Sequence, residues 1–323
     1  MTLLLLLAAA TAGVLDQARD IRRAGDLAAA AELLDTLHPL VEPDEEAGWY
    51  LERGIVEELA WRPEAAQAYF EEAVARGGEV AAEARYHLVT VLSEQGRHAD
   101  ARIVLRALQG TRGLNPDFVP VLRVHEGVLD VHQGRPRRGE AHVRAGLRAI
   151  DDADRFAWAI GRGRFTLLDL AADKAESLPL SGRQARVTRN LRARVKALKV
   201  AEDQLYAVIE TDEPEWITDS LLRMGDTWAA LGEALVSSPP PAGLTPAQAE
   251  VYRIEIARKA EGPFTRAWTY YDRGADLAAR VGWQAPTVDV LRARRDALAP
   301  QVPASGVAAT GAAPESVSPE AAR

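Results

Sequence analysis

No cysteine occurs among the 323 residues. Disulfides, thiolate nucleophiles and Cys-ligated zinc are therefore excluded, as is a lipid anchor on a cysteine after a leader. Aromatic residues make up 6% of the chain and β-branched runs are absent. Alanine, leucine, arginine and glutamate prevail instead, so the composition predicts an all-α fold. No apolar run approaches the roughly 20 residues that a bilayer-crossing helix needs. Catalytic signatures are missing too. There is no His-Glu-x-x-His, and Gly161-Arg-Gly-Arg lacks the third glycine and the preceding strand of a dinucleotide loop. Of His125, His132 and His142, the first two stand about two helical turns apart, too far to be two ligands of one ion without help from elsewhere. The carboxylate pairs Glu45-Glu46 and Asp151-Asp152 fall at expected helix ends, where they complement the dipole. No nucleophile is accompanied by a base and an orienting acid, so the reading is non-catalytic, with no cofactor and no metal. A pI near 5.4 and the absence of a reading motif argue against nucleic acid as a partner.

What the chain does have is a sentence written four times. The copies are GDLAAAAELLDTL (25–37), WRPEAAQAYFEEA (61–73), GRHADARIVLRAL (96–108) and GRPRRGEAHVRAG (134–146). Each holds a small-x3-bulky-x2-small triplet beginning at Ala30, Ala66, Ala101 or Gly139, with spacings of 36, 35 and 38. Positions i, i+4 and i+7 share one helical face, so small residues let two helices approach while the bulky one fills the gap. About twelve residues upstream, Ala18, Gly54, Val89 and Gly127 offer the matching slim position on a first helix. Gly25, Gly96 and Gly134 sit where the turn favours a positive φ, and Trp61 replaces that glycine in the second copy. This grammar at a period near 34 resembles the tetratricopeptide repeat. The resemblance implies a right-handed helical-hairpin solenoid over residues 13–152, and a surface that binds proteins.

Residues 153–298 are expected to continue that solenoid with longer antiparallel helices, over 153–178, 182–211, 214–236 and 245–260, then one opened by Gly262-Pro263 that carries Ala267, Tyr271, Ala275 and Ala278, and a last one from after Pro286 to Leu298. Thr245-Pro246-Ala247-Gln248 reads as a capping box with proline at the first helical position, and Gly262-Pro263 as a stop. The segments LKVAEDQLYAVI (198–209), LLRMGDTWAALGEAL (221–235), SPPPAGLTPAQAEVYR (238–253) and ARKAEGPFTRAWTYYDRGADLAARVG (257–282) resemble the C-terminal part of large periplasmic tetratricopeptide proteins of gliding and predatory bacteria. That resemblance covers about 85 residues and implies an envelope scaffold without implying a site. At the other end, Leu3–Leu7 followed by Ala10-Thr11-Ala12 reads as a signal peptide over 1–12, without the usual basic residue before it. The chain would then be periplasmic or secreted. The alternative is a first helix packed on the repeats in a cytoplasmic protein. Residues 299–323, rich in small residues and proline, read as a disordered tail.

Charge divides the chain. From Arg102 to Ala201 there are 20 Lys/Arg against 10 Asp/Glu, leaving 19 against 37 elsewhere. The excess peaks at Arg183, Arg186, Arg189, Arg192, Lys196 and Lys199, a drifting stripe with no acid between Arg183 and Ala201. Val187, Leu191, Val195 and Leu198 are the expected buried face of the same helix. Such a stripe suits an acidic peptide, an anionic polymer or lipid headgroups; the alternatives are a solvated helix face, or a face paired with the acidic flanks of the same chain. A second candidate is the groove lined by first helices: Trp49, Tyr50, Arg53 and Glu57, then Arg85 and Tyr86, then Arg123 and Glu126. Trp49 and Tyr50 serve equally well as packing between repeats.

Overall fold

A computed structural model of the protein describes residues 13, 15–22, 26–78, 80–241 and 243–302. The expected signal peptide, the turn glycine Gly25 and most of the expected tail lie outside them. Among the described residues there are helices and no strands. The chain forms two compact units. One ends at Thr166 and takes in Gly282–Pro286; the other runs Leu167–Val281 and resumes at Thr287.

The first unit is a run of helical hairpins. They are α1 (15–22) with α2 (Leu27–Leu37), α3 (Glu46–Leu59) with α4 (Pro63–Arg76), α5 (Ala81–Glu94) with α6 (His98–Gln109), and α7 (Phe118–His132) with α8 (Pro136–Ala149). The triplets do what their spacing implies. Ala66, Phe70 and Ala73 are sealed from solvent, as are Ala101, Leu105 and Leu108. A Cβ on Gly54 would lie 2.6 Å from the Phe70 ring, which explains the slim residue on the first helix. The turns repeat as well. Arg62 N–H donates to Glu57 O, Arg97 N–H to Leu92 O and Arg135 N–H to Asp130 O, each spanning five residues. This closure requires a left-handed residue just before the donor. Gly96 and Gly134 supply it at φ 74°, and Trp61 adopts it at φ 56° in the glycine's place.

The boundary between the units falls inside α9 (Ala157–Glu176). Beyond it come α10 (Gln184–Ile209), α11 (Pro214–Val236), α12 (Pro246–Val281) and α13 (Pro286–Leu298). The repeat sentence recurs here where sequence reading missed it. Ala201-x3-Leu205-x2-Val208 lies on α10, and Ala260-x3-Phe264-x2-Ala267 begins 59 residues later on α12, every member buried. Gly225 and Gly232 of α11 give the close approach, under the rings of Tyr271 and Phe264. Arg223 of α11 spans Asp169, Asp173 and Glu176 of α9 at 2.5, 2.7 and 2.6 Å.

Two expectations are corrected. Gly262-Pro263 does not end a helix: α12 runs 36 residues straight through it, about 54 Å. Proline clashes with the Cβ of a helical predecessor, and Gly262 has none. Ala260, Phe264, Ala267 and Trp268, all buried, anchor both sides of the break. Pro263 still leaves the Lys259 carbonyl without its helical donor. Pro263→Ala is therefore expected to stabilise the second unit by about 2 kcal/mol after allowing for the looser unfolded chain, read as a higher urea midpoint. Ala299–Gln301, read as the start of the tail, instead form a 3-10 turn that leaves Val302 buried. The capping box is present as read, with Thr245 N–H donating to Gln248 Oε1 at 2.9 Å and Gln248 N–H to Thr245 Oγ1 at 3.3 Å.

Candidate functional site

The first helices of the repeats are packed more deeply than a free groove allows. Trp49 is 4% exposed. Its indole N–H donates to Leu34 O at 2.8 Å, and its ring stacks on His38 at 3.9 Å. Arg53 and Glu57 are also buried. Arg53 donates to both oxygens of Asp35, at 2.8 and 3.2 Å, and pairs with Glu57, which also takes Arg62. Burial opposes the charge of Arg53, but Asp35 and Glu57 outweigh that and raise its pKa. These three residues therefore hold adjacent hairpins together and present nothing to a partner. Tyr50 is half-buried beneath the Arg76 guanidinium, 3.9 Å above its ring. Arg85 is half-buried.

Tyr86 belongs to a ladder of rings that crosses three first helices. It meets His125 of α7 edge-on at 4.9 Å and Trp158 of α9 at 5.5 Å, and His125 stacks on Trp158 at 5.3 Å. Burial, reinforced by the Arg162 charge, pushes the His125 pKa well below its usual value. This histidine is a neutral core ring. His132 stacks on His98 at 4.5 Å, so the two helix-face histidines have separate packing roles.

Arg123 and Glu126 are the two expected groove residues that the fold brings together at a surface. With Gln109, Leu114, Val119, Leu122, Arg138 and His142 they line a cleft of about 340 Å³ between α6, α7 and α8. Leu114, Val119 and Leu122 are its apolar lining; Arg123, Arg138 and Glu126 are its charged part. Val119 is 57% exposed although it adjoins Leu122, which is buried.

Sequence reading placed Glu126 and Asp130 on the groove and His142 in the same repeat without joining them into the group that lies beside this cleft. Glu126, Asp130 and His142 bring ligand-type atoms within 4.8 Å of one another. Asp130 has no exposed surface, yet it is heavily neutralised. Its Oδ1 lies 2.9 Å from Arg102 and 2.7 Å from Arg135, and its Oδ2 lies 3.0 Å from Arg138 Nε and 3.3 Å from His142 Nδ1. Three guanidiniums surround the one carboxylate a cation would most need. The donors are spread over α6, the α7–α8 turn and α8, which is why no local motif announced them.

On α10 the basic residues and the apolar ones part company with expectation. Of Val187, Leu191, Val195 and Leu198, only Leu198 is buried, and Val195 is 50% exposed. The buried face includes Asn190 and Arg194 instead. Asn190 donates to Pro179 O at 2.8 Å, and Arg194 donates to Leu178 O at 2.6 Å and Glu176 O at 3.1 Å. These carbonyls at the end of α9 reward a cation, so polar residues fill a position that periodicity assigns to aliphatics. Arg183, Arg186, Arg189, Arg192, Lys196 and Lys199 are all exposed.

No family model matches the chain, and no curated protein matches it. Two solved structures align along most of its length. One is the TPR domain of P58(IPK), at 14% identity over 90% of this chain and 97% of that one, with a TM-score of 0.19. The other is a circular tandem repeat protein of novel repeat topology, at 12% identity over 91% of this chain and 63% of that one, also at 0.19. Such scores reflect no shared superposition, and the repeat assignment rests on the hairpins, triplets and turns described above. No described helix is long and apolar enough to cross a membrane.

Proposed function

We propose that this chain is a non-catalytic scaffold that binds a polypeptide partner, and that the cleft between α6, α7 and α8 receives the partner's anchoring side chain. One observation carries this reading: Val119 stays exposed on a firmly packed helix, in a cleft whose rim holds Arg123 and Arg138. Apolar contact with a few placed polar groups is how a pocket fixes one anchor of a peptide. An aliphatic or aromatic anchor next to an acidic residue fits both parts. The site is accordingly narrower than the eight-residue groove read from sequence, and it keeps Arg123 and Glu126 from it. Repeated hairpins suit the role, because stacking leaves extended surfaces built on a rigid frame.

The compartment we propose is the bacterial envelope, on the leader-like Leu3–Leu7 and Ala10-Thr11-Ala12. Sequencing the mature N-terminus checks this, with Gly13 as the expected first residue. For the cleft, a photo-crosslinking amino acid at Val119 is expected to give a discrete polypeptide adduct in the native host. Arg123→Glu together with Arg138→Glu should abolish that adduct, whereas Arg258→Glu on α12 should not. An adduct indifferent to the cleft pair, or none at all, rejects the cleft as the binding site.

A further inference from the structure

On α10, Arg189, Arg192, Lys196 and Lys199 fall within an arc of about 80°, at 100° per residue. They face away from the buried side that carries Asn190, Arg194, Ala197, Ala201 and Leu205. The row extends about 15 Å along the helix. Arg186, one turn earlier, stands about 60° round from Arg189 toward the buried side, and Arg183 precedes the helix in extended backbone; both are exposed. Val195, 50% exposed, and Val200, 38% exposed, stand on its two edges.

The chain has an excess of carboxylates, so such a row would be expected to find acidic partners within the molecule. Other arginines of this unit do: Arg223 with Asp169, Arg253 with Glu250, Arg266 with Glu202, Arg295 with Asp272. Among the described residues none of the six stripe cations is in an ion pair, and each side chain is open to solvent. The sequence contributes to this by placing no acid between Arg183 and Ala201. Pairing with the chain's own acids, one of the two plain accounts of the stripe, is thus not what the fold does, and a solvated face without a partner is the other outcome of the test below.

We infer that this face of α10 docks on an anionic lipid surface. A single exposed helix face carrying a row of cations meets a plane of headgroups without needing a cleft. An acidic peptide would gain most from a concave site that buries it. The long Arg and Lys stems reach headgroup oxygens, and the flanking valines sit at the depth where aliphatic groups gain from leaving water. Charge singles out the stripe as the attracted part of the chain, because the remainder, with 47 acids against 33 bases once the six stripe cations are set aside, is net negative. The contact is peripheral and salt-sensitive, since each cation contributes modestly within a Debye length.

The test is co-sedimentation of the full chain with phosphatidylcholine vesicles, with and without phosphatidylglycerol, at low and high salt. Binding is expected with phosphatidylglycerol at low salt only. Replacing Arg189, Arg192 and Lys196 together by glutamine should weaken it on the order of a hundredfold, with the far-UV circular dichroism unchanged because all three are exposed. Arg253→Gln with Arg258→Gln, on α12, should leave it intact. The proposal is overturned by no sedimentation at low salt, or by equal binding of the triple variant. It is also overturned if soluble polyglutamate or a sulfated glycan binds through the stripe while vesicles do not.

Discussion

Gly127→Ala is expected to destabilise the first unit by about 3 kcal/mol, the upper part of the range for overpacked cores. In isolation the substitution should help, because alanine is favoured over glycine in a helix by about 1 kcal/mol. Here α7 and α8 touch backbone to backbone. A Cβ on Gly127 would lie 2.6 Å from Val143 Cγ2, 2.7 Å from Gly139 O and 2.7 Å from Val143 N. A valine can change rotamer, but a carbonyl and an amide within α8 move only with the helix. Gly139 and Gly146 extend the seam, the first against Gly127 O and the second against Pro120 O, so separation at one point propagates to the others. Gly54→Ala provides the contrast. The three atoms nearest its Cβ would all belong to the Phe70 ring, a side chain able to tilt, and about 1 kcal/mol is expected. Amide hydrogen exchange in α7 and α8 reads the difference without interference from the second unit. Equal protection in the two variants would mean that the fourth hairpin is not held by backbone contact.

The same seam shows why part of the fold was legible and part was not. Small-x3-bulky-x2-small is a direct statement about interhelical distance, and it recurs at a period short enough to recognise. The helical hairpins, the burial of all triplet positions but the half-buried Leu37, and the left-handed Gly96 and Gly134 therefore followed from sequence, whereas Trp61 read only as a missing glycine. Past residue 153 the helices lengthen, the interval between triplets grows to 59, and the sentence at Ala201 and Ala260 no longer registers as a repeat. Pro263 misled for a different reason. Its local preference to end a helix was outweighed by buried residues on both sides and by a glycine before it. The groove was misread because position on a first helix does not specify depth. Trp49, Arg53 and Glu57 have the residue types of a binding surface, yet they join one hairpin to the next. Asn190 and Arg194 occupy core positions only because helix-end carbonyls lie opposite, a fact of tertiary structure that no periodicity contains.

Asp130→Ala is expected to cost a further large amount, about 3 kcal/mol, although the residue lies in the cluster that most resembles a metal site. The carboxylate has no exposure, accepts from Arg102 of α6 and is ion-paired with Arg135 of the α7–α8 turn, with Arg138 and His142 of α8 alongside. Removing it affects these cations unequally. Arg135 and Arg138 are 43% and 55% exposed and can turn into water, whereas Arg102 is 13% exposed and would keep a buried charge without a counter-ion. Most of the loss should therefore belong to one pair, and Arg102→Met in the Asp130→Ala background should recover a good part of it. Asp130→Asn, which keeps an acceptor but not the charge, should fall between wild type and Asp130→Ala. Urea midpoints of the four proteins test this, and a titration of the wild type with Zn²⁺ separates structural clamp from ligand set. A clamp already satisfied by three guanidiniums gains nothing from the ion. A rise of the wild-type midpoint with Zn²⁺, absent in Asp130→Asn, would instead make the arginines placeholders for a cation. The clamp reading further requires that the charge of Asp130 be consumed within the hairpin. The cleft beside it is then left with Arg123 and the outward side of Arg138 as its net positive edge, the property that selects an acidic neighbour on a partner's anchor.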